Sequence, residues 1–149
     1  MRIAIVEDDF EDLIRVYARF RENHTLDVHY IPPEDIIGDG YLVDGISKIL
    51  QGAGFETTKL MVAKQNRQNG FYFSLDRSLL TDPGIDFYII DGLNGMAFSL
   101  ISHYDLPRDR LGIISTDTDI QAYAKKLGLI NRDKQPANVR EVIESFIRR

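Results

Sequence analysis

The chain has no cysteine, no tryptophan, only three histidines and five prolines among its 149 residues. Without cysteine it can form no disulfide and offers no thiolate nucleophile or soft-metal ligand. His24, His29 and His103 are scattered and lack the spacing of a histidine metal site. No apolar run approaches the ~20 residues a membrane-spanning helix needs. The apolar stretch at the start is short and broken by acids, unlike a secretory leader, so the expected location is the cytoplasm and no membrane partner is expected. A basic surplus is also missing. Eighteen Lys and Arg against 23 Asp and Glu leave a formal charge of −5, which argues against a nucleic-acid partner because phosphate binding needs a basic face. Aromatics beside Lys, Arg and Gln in "KQNRQNGFYF" can stack on bases, but aromatics alternating along a strand more commonly pack a core. The basic residues from Lys125 to Arg149 are interspersed with acids and read as a solvated face.

What remains is 44% apolar and 28% charged, the composition of a globular chain long enough for one domain over residues 1–149 with a real core. "RIAIV" has strand length and β-branched content. It runs into Glu7, Asp8 and Asp9. Asp9 suits the N-cap of a helix whose apolar face is Phe10, Leu13, Ile14, Tyr17 and Ala18. "LDVHYI" reads as a strand stopped by "PP". Residues 40–54 read as a helix with Leu42, Ile46, Ile49 and Leu50 on one face, ended by Gly52 or Gly54. Thr57–Ala63 and Gly70–Leu75 are strand-like and suit a hairpin, with polar "KQNRQN" between them. "IDFYII" is a buried strand ending at Asp91. "GLNG" is a loop and "MAFSLISHY" a helix with His103 on its surface. "LGIIS" is a further buried strand, ending at Ser115. Asp119 suits the cap of a helix with apolar face Ile120, Tyr123, Ala124 and Leu127, followed by Gly128. "GLI" is a weak strand. The last helix carries Asn138 and Glu141 as a capping box, Ala137 and Val142 as a staple, and a stripe of Val139, Val142, Ile143, Phe146 and Ile147.

Strands alternating with helices imply an α/β fold with a doubly wound parallel sheet, covered on both faces. Ligands of such sheets bind outside the carboxyl ends of the strands. Glu7 and Asp8 end the first strand, Asp91 and Ser115 end two others, and Lys134 follows the last. If those strands are neighbours, the five side chains converge. Clustered carboxylates without Cys or His suit a hard cation, Mg²⁺ first, held by Glu7, Asp8 and Asp91. A hydroxyl and a Lys nearby suit the oxygens of a phosphoryl group, with Asp91 as nucleophile.

The layout resembles the receiver domain of two-component response regulators. "IAIVEDD" is similar to that family's first strand with its acidic pair, which carries onto Glu7 and Asp8. "DFYIID" resembles the strand ending in the phosphoacceptor, which carries onto Asp91. "LGIIST" resembles the strand ending in a hydroxyl residue, which carries onto Ser115. "KQP" before the last helix resembles the family's Lys-Pro, which carries onto Lys134. The resemblance covers about residues 1–17 and 85–149, and implies a flavodoxin-like receiver fold with an elaboration at about residues 21–82. It further implies Mg²⁺-dependent phosphorylation of Asp91 by a histidine kinase or phosphotransfer protein, with output through contact with a protein target. A homodimer is left open. No diffusible substrate is expected, so the chain reads as a phosphoacceptor rather than a turnover enzyme.

Two alternatives stand beside it. The short "GLNG" loop, and "NRD" where the family has an aromatic, favour a pseudo-receiver acting as a phosphorylation-independent interaction or dimerisation module. A haloacid-dehalogenase-like phosphatase also uses a strand-end Asp, a hydroxyl and a Lys. That superfamily carries a second Asp two residues after the nucleophile, where this chain has Leu93.

Overall fold

The computed structural model describes residues 1–31, 40–55, 64–66, 70–72 and 80–148. Five parallel strands form the central sheet: β1 (Arg2–Glu7), β2 (Thr25–Tyr30), β5 (Phe87–Asp91), β6 (Leu111–Ile114) and β7 (Ile130–Arg132), in the order β2-β1-β5-β6-β7. Strand order reverses between β1 and β5, the flavodoxin-like arrangement, and the reversal opens a crevice at their carboxyl ends. Register sets Ile3 beside Phe87 and Val6 beside Ile90, so Glu7 and Asp91 emerge side by side at that crevice. A separate antiparallel pair joins β3 (Lys64–Asn66) and β4 (Gly70–Tyr72).

Alternation along the strands divides the core in two. Ala4, Val6, Tyr88, Ile90, Leu111 and Ile113 pack against α3 (Met96–His103) and α4 (Thr118–Lys126). Ile3, Ile5, Phe87, Ile89 and Ile114 pack on the opposite face. There they meet α1 (residues 10–22), α2 (Gly40–Gly52) and α5 (Pro136–Ile147). Helices on both faces explain why the strands are apolar at nearly every position. Gly112 on β6 admits α5 closely: a Cβ there would stand 3.1 Å from Val142 Cγ1.

Several helix faces differ from the expected ones. After one α-helical turn, α1 widens into a π-helical stretch over Leu13–Tyr17 and tightens into a 3₁₀ stretch over Ala18–Glu22. Leu13, Val16, Tyr17 and Phe20 are buried, and Ile14 is 38% exposed. On α2, Ile46 and Leu50 are buried but Ile49 is 48% exposed, while the Leu42 side chain lies outside the described residues. On α4, Tyr123 is 48% exposed and lies edge-on against Phe98, ring centroids 4.6 Å apart. Ile147 on α5 is 59% exposed.

Caps also differ. Asp117, not Asp119, caps α4, accepting from the backbone N–H groups of Asp119 and Ile120. The capping box of α5 does not form. Pro136 occupies the first turn, Gln135 stands at the N-cap without a side-chain bond, and Asn138 Nδ2 donates to the Asp133 carbonyl instead. Pro fixes the helical φ one turn earlier than the box would. The last strand is Ile130–Arg132 rather than "GLI", because Gly128 turns left-handed (φ 74°) to end α4. The antiparallel pair uses Lys64–Asn66, read from sequence as a connection; Thr57–Ala63 and residues 73–75 lie outside the described residues. Among the described residues no helix is long and apolar enough to cross a membrane.

Candidate functional site

Five expected residues meet at the carboxyl edge of the sheet. Glu7, Asp91, Ser115 and Lys134 are buried and Asp8 is half-buried. One carboxylate oxygen each from Glu7, Asp8 and Asp91 lies within 4.8 Å of the other two.

Each side chain is placed by local structure. Asp9 faces away and caps α1, accepting from the backbone N–H groups of Glu11 and Asp12. Glu7 turns inward, where its Oε1 accepts from the backbone N–H groups of Asp8 and Asp9, each at 3.1 Å. Asp91 Oδ2 accepts from the Leu93 backbone N–H at 2.9 Å. That bond folds "GLNG" into a 3₁₀ turn, with Leu93 and Asn94 both at positive φ (50° and 53°). Leu93 is fully buried, so an apolar side chain stands two residues after Asp91.

Lys134 is the cation of the cluster. Its Nζ binds Asp91 Oδ1, and lies 3.1 Å from Glu7 Oε2 and 3.0 Å from Asp12 Oδ2. Asp12 is the first site residue that the sequence did not single out. Three residues past the cap, it faces back toward the pocket, a placement set by how α1 and α5 sit on the sheet. Gly92 is the second residue missed. A Cβ there would stand 2.7 Å from Ser115 Oγ and 2.9 Å from Ile120 Cδ1, so Ser115 rests against the backbone that comes after Asp91. Ser115 Oγ itself accepts from the Asp117 backbone N–H at 3.1 Å.

Four carboxyl groups surround one ammonium, and their titration reflects it. Burial first, then the Asp91 charge, pushes Glu7 up to about 9, against the pull of Lys134. Burial and Asp91 also raise Asp8. Asp12 is partly buried, which opposes ionisation, but hydrogen bonds from Lys134 and Arg15 outweigh this and lower it. Lys134 is raised: its burial is overcome by the charges of Glu7 and Asp91. The Tyr17 hydroxyl is buried below the cluster with no hydrogen-bond partner among the described residues. Burial and then the Glu7 charge raise it well above its ordinary value.

The donor set fits a hard divalent cation. It is all carboxylate, and with Asp12 also paired to Arg15, Lys134 is the one cation facing Glu7 and Asp91 beside Asp8 among the described residues. Glu7, Asp8 and Asp91 each bring one oxygen to the cluster, although both oxygens of Glu7 and of Asp91 also face N–H groups or Lys134. Comparison of the chain with protein-family models, with curated proteins and with solved structures returned no match.

Proposed function

We propose that the chain is a receiver-like signalling domain that accepts a phosphoryl group on Asp91 and switches a protein–protein interaction. The observation that carries this reading is the contact of Lys134 with Asp91 and Glu7, beside Asp8 and Ser115, at the strand-order reversal of a flavodoxin-like sheet. A buried carboxylate held by a Lys, in a cluster suited to Mg²⁺, is equipped for phosphoryl transfer.

In the reaction an Asp91 carboxylate oxygen attacks the phosphorus of a phosphohistidine. The O–P bond forms as the P–N bond breaks, and that electron pair returns to the donor imidazole. Lys134 holds Asp91 and then a phosphoryl oxygen, and the Ser115 hydroxyl donates to another. A bound Mg²⁺, which Glu7, Asp8 and Asp91 would hold, would supply charge neutralisation as the phosphoryl oxygens approach. The partners on this reading are a histidine kinase or phosphotransfer protein and an output target.

The pseudo-receiver alternative has its own support. Lys134 is engaged by three carboxylates, and the turn after Asp91 is short and left-handed. The phosphatase alternative is weakened by Leu93, which is buried and apolar where hydrolysis needs an acid.

Intact mass after incubation with acetyl phosphate tests the reading. One added phosphoryl group on the wild type, dependent on Mg²⁺ and absent from Asp91→Asn, supports it. A folded, unmodified wild type favours the pseudo-receiver.

A further inference from the structure

At the far ends of α1 and α5, away from the carboxylate pocket, lies a cleft of about 480 Å³. One wall is Arg19, Phe20, Asn23 and His24; the other is Arg140, Ile143, Glu144 and Ile147, which share one helical face of α5. The volume is in the range of small-molecule sites. Phe20 and Ile143 are buried at its floor, and exposed Ile147 forms part of its rim.

Its charge is unbalanced. Among the described residues, neither Arg19 nor Arg140 has a carboxylate within ion-pair distance, and the hydrogen bond of Arg19 goes to the Arg15 carbonyl. Glu144, the one acid of the lining, pairs with Arg148 at 3.6 Å. Burial and then the chain's terminal amine lower His24, which works against a further positive charge in the lining. Two guanidinium groups on opposite walls above an apolar floor therefore face the cleft without counter-ions.

We infer that this cleft binds a small amphipathic anion, its apolar part on Phe20, Ile143 and Ile147 and its carboxylate, sulfonate or phosphate between Arg19 and Arg140. The site is separate from Asp91, so it stands whether or not Asp91 is phosphorylated. Arginine on each wall suits such a head group, because guanidinium binds oxyanions through paired N–H donors.

The probe is naphthalene-2-sulfonate, which cannot transfer a phosphoryl group, titrated into ¹⁵N-labelled full chain. Saturable amide shifts are expected at residues 19–24 and 140–147. Arg19→Ala/Arg140→Ala should weaken binding at least ~10-fold, the loss of about one charged contact. The neutral analogue naphthalene-2-methanol should bind the wild type at least ~10-fold more weakly by the same reasoning. Should the double variant fail to fold, Arg140→Gln at its exposed position gives the same comparison. Shifts scattered over other surfaces, no saturable binding, equal affinity for the neutral alcohol, or unchanged affinity without the arginines would each overturn the inference.

Discussion

Lys134 Nζ and Asp12 Oδ2 lie 3.0 Å apart, 122 positions apart in sequence, and tie the first turn of α1 to the segment that leads into α5. The same ammonium reaches Asp91 and Glu7. One side chain therefore holds together the pocket and the starts of two helices on one face of the sheet.

Removing that cation should be costly. Lys134→Ala leaves Glu7, Asp12 and Asp91 without their shared partner, and breaking a buried pair this way costs about 3–5 kcal/mol. Thermal unfolding in a chelator should show the loss, and millimolar Mg²⁺ should restore part of it by supplying another cation. An unchanged midpoint would show that the cluster does not depend on Lys134.

Glu7 makes stability depend on pH with a definite sign. Its folded value, about 9, lies above its ordinary 4.5, so the folded state holds a proton that the unfolded state has released. Its contribution is full below pH 4.5 and is lost as pH rises through about 9. Raised Asp8 acts in the same direction, whereas lowered Asp12 acts in the opposite one, and only in acid. Between pH 5 and 9 without divalent ions, the wild type should lose stability and melting temperature relative to Glu7→Gln. Parallel curves for the two proteins would contradict the assignment.

Gly92→Ala should disturb Ser115. The new Cβ would meet Ser115 Oγ and Ile120 Cδ1 at 2.7 and 2.9 Å, so one of them must move. Overpacking of this kind costs about 1–3 kcal/mol. Urea unfolding should show the loss, and a stability equal to the wild type would mean that the turn yields instead.

The Tyr17 hydroxyl is another group near the cluster that a substitution should improve or leave unchanged. It is buried without a hydrogen-bond partner among the described residues. Tyr17→Phe removes that polar atom and keeps the ring, so stability should hold or rise by up to about 1 kcal/mol. A loss above that size would reveal a bond to the hydroxyl.

Much of the architecture was legible in the sequence, for physical reasons. β1, β5 and β6 are largely apolar on both faces; β1 and β5 end in acids and Ser115 follows β6, which marks the sheet's carboxyl edge. Glu7, Asp8, Asp91, Ser115 and Lys134 could therefore be expected at one edge before the strand order was known. Helix faces were less legible. Regular 3.6-residue spacing set Ile14 and Ile147 inside, but the buried stripe of α1 is Leu13, Val16, Tyr17 and Phe20, which leaves Ile14 on its flank, and Ile147 lies on the rim of the cleft. Caps failed where two candidates stood close together: Asp117 and Asp119 offer the same chemistry, and a two-residue shift decides which begins α4. The partnership of Asp12 with Lys134 was hidden because it depends on how α1 and α5 sit on the sheet, which no local pattern encodes.

The central claim concerns a single atom group, the Asp91 carboxylate. Borohydride reduction after acetyl phosphate treatment traps an aspartyl phosphate as homoserine, and peptide sequencing by mass spectrometry locates it. The expected result is conversion at Asp91 alone, dependent on Mg²⁺ and reduced at least ~10-fold in Lys134→Ala, the loss of one charged contact. Conversion at Asp8 or another carboxyl group, or none in a folded protein, would contradict the account.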